Sequence, residues 1–142
     1  MQILTDAATP FGRKTMVAAL EKQISVTESF VPIDATLDSA NPLRQIPVLV
    51  MDKGESLYDS DVILLYLDEL HTSAPLFPAD RRFEVLTRLA LANGMIESVL
   101  LRTMESRRVD GERSDAFIEK LGDRTLRGVV QLERGVSQLS TD

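Results

Sequence analysis

Three short stretches of the chain carry residues that could bind or activate a ligand. They are Thr9-Pro10, Ile46-Pro47 and Asp59-Ser60. The first offers a hydroxyl, the second an extended backbone, and the third a carboxylate beside a hydroxyl. Each stretch also has a purely structural explanation, so its chemistry has to be weighed against that explanation.

Thr9 stands at the predicted start of a helix. Threonine is a good N-cap and proline a good first helical residue, so a structural reason suffices for Thr9-Pro10. The same turn leaves the first predicted strand at its C-terminal end, where α/β sheets place ligands. A hydroxyl donor and the positive end of a helix both favour a thiolate over a thiol. Because the chain has no cysteine, a bound ligand would have to supply that thiol.

Pro47 lies directly before Val48-Leu49-Val50, a run typical of a buried strand. Proline is excluded from central strands except at the first position. A cis bond before Pro47 would turn the amide and carbonyl of Ile46 out of the sheet, and an extended peptide could then pair with them. A proline that merely starts a strand or blunts an edge explains the residue equally well.

Asp59-Ser60 precedes another predicted helix. We expect Ser60 to be the N-cap of a helix beginning at Asp61, where free amides and the helix dipole favour an anion. Asp59 would then offer its carboxylate to an ammonium group, so the pair suits the zwitterion of an α-amino acid. A plain helix cap with an acidic neighbour is the commoner case. Taken together, the three stretches describe a ligand with a zwitterionic end, a peptide-like middle and a thiol, and glutathione has all three.

The elements that would position these residues alternate in residues 1–72. The β-branched and helical patterns predict strand, helix and strand, then a hairpin with Lys53-Gly54 at its turn, then a helix. A short helix is possible before Asn41. This order predicts an α/β thioredoxin-like domain with a four-stranded mixed sheet, its first two strands parallel. The predicted elements are Gln2–Thr5, Pro10–Lys22, Ser25–Val31, Val48–Asp52, Glu55–Tyr58 and Ser60–Leu70.

The remainder of the chain is predicted to be a linker over residues 73–80 and a partial all-α domain over 81–142. Two long helices are expected, from Arg81 to Arg108 and from Ser114 to Leu139. The apolar pattern of the first is wide enough to be covered on two sides. The residues expected to face inward are Val85, Leu89, Ala92, Ile96 and Leu100 on the first helix and Phe117, Leu121, Val129, Leu132 and Val136 on the second.

Composition excludes several classes of function. The net charge of −6 argues against binding the phosphate backbone of nucleic acids. No apolar stretch is long enough for a membrane helix and no signal peptide is visible, so we expect a cytoplasmic protein without a membrane partner. The absence of cysteine excludes an oxidoreductase that uses its own thiol. The single His71 has no partner at metal-ligand spacing and is expected at the surface; neither a metal site nor a permanent cofactor is expected.

The chain resembles a bacterial cytosolic glutathione transferase over essentially its whole length. The motifs are TPFGRK at 9–14, NPLRQIPVLV at 41–50 and LYDSDVILLYLDEL at 57–70, supported by PLFPAD at 75–80 and ANGMIESVLL at 92–101. The resemblance implies that Thr9 steadies the thiolate of glutathione and that the backbone of Ile46, before a cis Pro47, pairs with its cysteinyl part. It further implies that Asp59 and Ser60 hold the γ-glutamyl group and that Gln45 lies near the glycyl end.

Function follows from the resemblance as an expectation. A glutathione S-transferase would conjugate its co-substrate glutathione to a small electrophile in detoxification, in a less polar pocket lined by Met95, Val99 and Arg102. A homodimer is expected, with the hairpin-helix edge of one subunit against the long helix of the other. The alternative is a non-catalytic interaction or regulatory protein that keeps the fold.

Two departures from the family pattern bear on that choice. Thr9 carries a methyl group that fixes its χ1 angle, so its hydroxyl could cap the helix instead of meeting a thiol. The chain also stops after two helices, near Leu139 to Asp142. Either the sequence is part of a longer protein, which we favour, or a partner subunit covers the apolar stripes.

Overall fold

The computed structural model describes residues 1–70 and 73–136. The chain divides into two compact units, Met1–Asp80 and a second unit that begins at Arg81. The predictions for His71 and for Leu139 to Asp142 concern residues outside the described ranges. None of the helices in those ranges is long and apolar enough to cross a membrane.

The first unit contains the predicted four-stranded mixed sheet. Its strands lie in the order β2-β1-β3-β4, with β1 parallel to β2 and antiparallel to β3, and β3 antiparallel to β4. The thioredoxin-like topology predicted from the sequence is confirmed. The strands are β1 Gln2–Thr5, β2 Thr27–Phe30, β3 Val48–Val50 and β4 Ser56–Leu57; the helices are α1 Pro10–Glu21 and α2 Ser60–Glu69, with a 3-10 turn at Ala35–Leu37.

The predicted hairpin between β3 and β4 is present with shorter strands than expected. Gly54 has a φ of +88°, the left-handed region that glycine adopts without a steric penalty. The Met51 amide donates to the Glu55 carbonyl at 2.8 Å and closes the turn. The core beneath the sheet joins apolar residues of its central strands to both helices: Ile3, Ala18, Ala19, Val48, Leu49, Ile63 and Leu67.

The second unit consists of two long helices, α3 at Arg82–Ser106 and α4 at Asp115–Gly135. A 3-10 turn at Ala79–Arg81 leads into α3. The Ser114 hydroxyl accepts from the Phe117 amide and caps α4, and the Glu105 carboxylate accepts from the Ser114 amide at 2.8 Å. Both long helices predicted from the apolar pattern are therefore confirmed.

The face by which α4 packs differs from the predicted one. Of the five residues expected inward, only Leu121 is buried; Phe117, Val129, Leu132 and Val136 are 39–53% exposed. The reason is Gly128, whose missing side chain admits Met95 of α3: a Cβ at Gly128 would lie 2.5 Å from the Met95 sulfur. The seam between α3 and α4 therefore runs through Leu121 and Gly128.

The apolar stripe of α3 also differs from its prediction. Val85, Leu89, Ala92 and Ile96 are half-buried, whereas Leu100 is exposed, and the fully buried residue of this helix is Ser98. Ser98 donates its hydroxyl to the Gly94 carbonyl at 2.6 Å, which satisfies it inside the seam. A small polar residue can occupy the tightest part of the contact because its hydroxyl bonds back to its own helix.

Candidate functional site

The turn between β1 and α1 is shaped by Asp6. One oxygen of its carboxylate accepts from the amides of Ala8 and Thr9, at 2.7 and 2.6 Å. Thr9 is extended and occupies the N-cap position of α1, but its side chain makes no capping hydrogen bond. The Thr9 hydroxyl therefore does not cap α1, which was the alternative to its stabilising a thiolate.

The methyl group of Thr9 lies over Gly12. A Cβ at Gly12 would come within 2.7 Å of the Thr9 methyl carbon and would also collide with the Thr5 hydroxyl. Gly12 is buried and its carbonyl accepts from the Thr15 hydroxyl at 2.8 Å. Because a β-branched side chain has few χ1 states, seating the methyl here fixes the direction of the hydroxyl.

The loop before β3 is held by the buried side chain of Asn41. Its Nδ2 donates to the Gln45 carbonyl at 2.8 Å, while its Oδ1 accepts from the Leu43 amide at 3.0 Å. Arg44 adopts a φ of +50° within this loop. Asparagine at this point supplies a donor and an acceptor together, which a buried turn needs. Gln45 itself is exposed.

The bond between Ile46 and Pro47 is cis, as predicted. Pro47 is buried and Ile46 half-buried. The pairing of β3 with β1 ends at Val48 opposite Leu4, and within residues 1–70 and 73–136 no backbone–backbone hydrogen bond involves Ile46. The backbone ahead of Pro47 is therefore open to an extended ligand.

The start of α2 differs by one residue from its prediction. Asp59, not Ser60, is the N-cap: its carboxylate accepts from the Asp61 amide at 2.6 Å, and Ser60 is the first helical residue. The extended backbone at Asp59 brings its carboxylate over the helix start, and aspartate caps as well as serine does. Ser60 is buried. The Asp59 carboxylate therefore caps the helix while standing beside the proposed zwitterion site.

The three features gather at one end of the sheet. Leu4 pairs with Val48, so Pro47 lies beside the end of β1 from which the Thr9 turn departs. The Lys14 ammonium lies 2.6 Å from the Asp61 carboxylate, which joins the beginning of α2 to the first turns of α1. The Thr9 turn and Ile46-Pro47 thus lie at the same end of the sheet, and the start of α2 is tied to α1.

Comparison with known proteins agrees with this arrangement. Residues 8–70 match the family model for the glutathione S-transferase N-terminal domain. The structure of a glutathione S-transferase from Methylobacillus flagellatus with glutathione bound is 36% identical, with a TM-score of 0.90 over 96% of this chain and 70% of that one. The chain belongs to the glutathione S-transferase family.

Two other proteins are similar to nearly the whole of this chain. A family member from Pseudomonas fluorescens, solved with bound glutathione, is 36% identical with a TM-score of 0.82, covering 94% of this chain and 70% of that one. The Escherichia coli GST-like protein YibF, itself uncharacterized, is 28% identical over 94% of this chain and 68% of its own. The chain therefore spans about 70% of the length of each of these relatives.

The residues predicted for a transferase electrophile pocket belong to the second unit. Met95 packs against Gly128, and the Arg102 Nε lies 3.7 Å from where a Cβ at Gly122 would stand, so both side chains reach α4. Val99 is exposed. Their role in binding an electrophile stays a prediction. Over the described parts of the chain, no cluster of three or more histidine, aspartate and glutamate side chains could hold a metal ion.

Sequence reasoning missed four residues that build this transferase-type site. Asp6, Gly12 and Asn41 shape its turns, and Lys14 pairs with Asp61. Gly12 could have been recognised from the sequence. A glycine within the first turns of a helix costs about 1 kcal/mol of stability relative to alanine, which indicates a structural requirement for it. Asn41 gave a weaker one in its Asn-Pro dipeptide. Lys14 gave none, since its partner lies in a distant helix.

Proposed function

We propose that the protein is a cytoplasmic glutathione S-transferase. It binds glutathione, whose thiol gives its proton to solvent and is held as a thiolate at Thr9. That sulfur then forms a bond to the electrophilic atom of a small second substrate, as a leaving group departs with its electron pair or the electron pair of a polarised double bond shifts away and takes up a proton. The observation that carries the proposal is the Thr9 hydroxyl, which stands at the N-terminus of α1 without capping it. A hydroxyl donor and the helix dipole both stabilise a thiolate.

The remaining parts of glutathione have matching partners. The open backbone at Ile46 suits the cysteinyl amide and carbonyl as one added strand pairing. Asp59 offers its carboxylate to the γ-glutamyl ammonium, and Ser60 with the amides of the helix start takes the γ-glutamyl carboxylate. Gln45 is exposed on the same loop and is assigned to the glycyl end. Related structures that carry bound glutathione support this reading.

The electrophile site and the assembly belong to the same proposal. Met95, Val99 and Arg102 are assigned to the electrophile pocket, and a homodimer is the assigned assembly. The competing function is a non-catalytic interaction protein. Its support is the set of apolar side chains that α3 and α4 leave exposed, among them Phe83, Met104 and Leu126.

Retention on immobilised glutathione tests binding. The wild-type chain should be retained, and the Asp59→Ala/Ser60→Ala variant should pass through. Asp110→Ala is the matched control, because the Asp110 side chain is almost fully exposed in the second unit. A wild-type chain that is not retained would leave only the interaction-protein function.

Titration of the bound thiol by its thiolate absorbance tests catalysis. The pKa of the bound thiol should lie below the value of about 8.5 for a free cysteine. One hydrogen bond to a charged group contributes about 1.5–3 kcal/mol, so Thr9→Ala should raise the pKa of the bound thiol by about one to two units. Thr9→Val, which keeps the methyl seated on Gly12, should raise it as much. An unshifted thiol in the wild-type complex rules out the mechanism.

A further inference from the structure

A lysine on α1 pairs with an aspartate at the start of α2, immediately beside the proposed zwitterion site. The Lys14 Nζ lies 2.6 Å from the Asp61 Oδ1. Its side chain is only 15% exposed, and the ammonium lies 5.5 Å from the centre of the Phe11 ring. The flanking aromatic face and the short ion pair both hold the ammonium in place.

Two aspartates flank Ser60 at this helix start. The Asp59 carboxylate is bound to the Asp61 amide, so the two acidic residues are fixed on either side of the serine. A γ-glutamyl group brings one positive and one negative charge. Its ammonium would pair with the Asp59 carboxylate. Its own carboxylate, at the helix start, would be repelled by the Asp61 carboxylate if no cation balanced the charge of Asp61.

We propose that Lys14 is a positioning residue that makes this helix start selective for a ligand carboxylate by cancelling the charge of Asp61. The proposal rests on the glutathione-binding function proposed above. With Lys14 in place, Asp59 is the one uncompensated carboxylate of the pair, and the helix amides can receive the ligand anion. Lys14 does not touch the ligand; it acts through Asp61.

The same ion pair joins the helix that bears the thiolate to the helix that bears the zwitterion site. Thr9 begins α1 and Ser60 begins α2. Lys14 lies on the second turn of α1 and Asp61 on the first turn of α2, so the pair ties together the two helix starts. The sulfur and the γ-glutamyl group of one glutathione molecule would then be held at a fixed separation.

Removing the charge of Lys14 and removing that of Asp61 should have opposite effects on glutathione binding. Lys14→Met keeps the length of the side chain and removes the charge, so glutathione should bind about tenfold more weakly. Asp61→Asn keeps an acceptor for Lys14 and removes the negative charge, so glutathione should bind more tightly than to wild type. The double variant should recover most of the affinity lost in Lys14→Met.

The decisive measurement compares two ligands by calorimetry. Glutathione is set against γ-aminobutyryl-cysteinyl-glycine, which is glutathione without its γ-glutamyl α-carboxylate. Lys14→Met should weaken binding of glutathione but not of this analogue, because the analogue lacks the anion that Asp61 repels. Urea unfolding of each variant confirms that the proteins compared are folded.

Equal losses for both ligands, without recovery in the double variant, would assign Lys14 a merely structural role and overturn the proposal. Wild-type affinity in Lys14→Met would also overturn it while leaving glutathione binding intact. If the wild-type protein binds neither ligand, the proposed function fails as well, which distinguishes that failure from the other two.

Discussion

The helices α1 and α2 are joined by two lysine–aspartate pairs, one at each end. At the end where both helices begin, Lys14 meets Asp61; at the far end, Lys22 meets Asp68 at 2.9 Å. In both pairs the lysine comes from α1 or its C-cap and the aspartate from α2. The chemistry of the two pairs is the same, so their difference lies in what surrounds them.

The far pair is buried and makes further hydrogen bonds. The Lys22 side chain is 1% exposed and that of Asp68 10%, against 15% and 37% for Lys14 and Asp61. Lys22 also donates to the carbonyl of Ala74 at 3.1 Å. The Asp68 carboxylate accepts from the amides of Leu76 and Phe77 at 2.7 and 3.1 Å.

The far pair therefore fastens the segment after α2 to the body of the first unit, and Phe77 is buried there. The near pair borders the proposed glutathione site. The buried pair belongs to the fold, whereas the more exposed pair is the one proposed to act on a bound charge.

Breaking the far pair should have the largest effect on stability. Asp68→Asn leaves a buried ammonium without its counter-charge, and Lys22→Met leaves a buried carboxylate; either should cost about 3–5 kcal/mol of unfolding free energy. Urea unfolding measures this, with Lys120→Met on the exposed surface of α4 as control. If Asp68→Asn and Lys22→Met each lose less than about 1 kcal/mol of unfolding free energy, the expected difference between the two pairs is wrong.

The loss of unfolding free energy in Asp68→Asn should be smaller at acid pH than at neutral pH. Burial raises the pKa of Asp68, but the hydrogen bond from Lys22 and those from the Leu76 and Phe77 amides outweigh it, so its pKa lies below the ordinary value of 3.8. A carboxylate whose pKa is lowered by folding stabilises the protein above the ordinary value, and this stabilisation is lost as the pH falls through the folded pKa.

The stability gap between wild type and Asp68→Asn should therefore be widest near neutral pH and narrow as the pH falls below the ordinary aspartate value. Urea midpoints of the two proteins, measured side by side from neutral pH into acid, follow this gap. A gap that stays constant into acid would mean that the charge of Asp68 is not what holds the segment around Phe77.

Sequence patterns predicted most of the first unit because local and long-range signals coincide there. The β-branched runs and the Lys53-Gly54 turn each indicated one arrangement, and the four-stranded mixed sheet that they predict is the one observed. The pairs at Lys14 and Lys22 could not be predicted in this way. Each joins residues more than forty positions apart in two different helices, and a single sequence does not indicate which distant residues pair.

The second unit shows where periodicity alone fails. It predicted both helices of this unit, but it selected large apolar residues such as Val129 and Leu132 as the packing face. The actual seam uses Gly128, because a glycine lets Met95 approach closely. Hydrophobicity scales assign such a position little weight, although its lack of a side chain is what permits the contact. The predicted cap at Ser60 was wrong for a similar reason, since Asp59 can cap equally well one residue earlier.

Breaking the near pair should have the smallest effect on stability. Asp61 is more than one-third exposed, so water screens its attraction to Lys14 and replaces the lost partner when the pair is broken. Lys14→Met should therefore change the unfolding free energy by less than about 1 kcal/mol, the usual range for surface pairs. The same urea experiment measures it beside Lys22→Met, a lysine-to-methionine change at the C-cap of the same helix.

The two lysine variants together separate stability from binding. If the division of roles holds, Lys22→Met loses stability while its folded fraction keeps the affinity for glutathione, and Lys14→Met loses affinity while keeping stability. A Lys14→Met variant that unfolds as readily as Lys22→Met would show that both pairs serve the fold alone. The weaker binding of that variant would then follow from a loosened α1–α2 contact, and the charge of Asp61 would have no part in it.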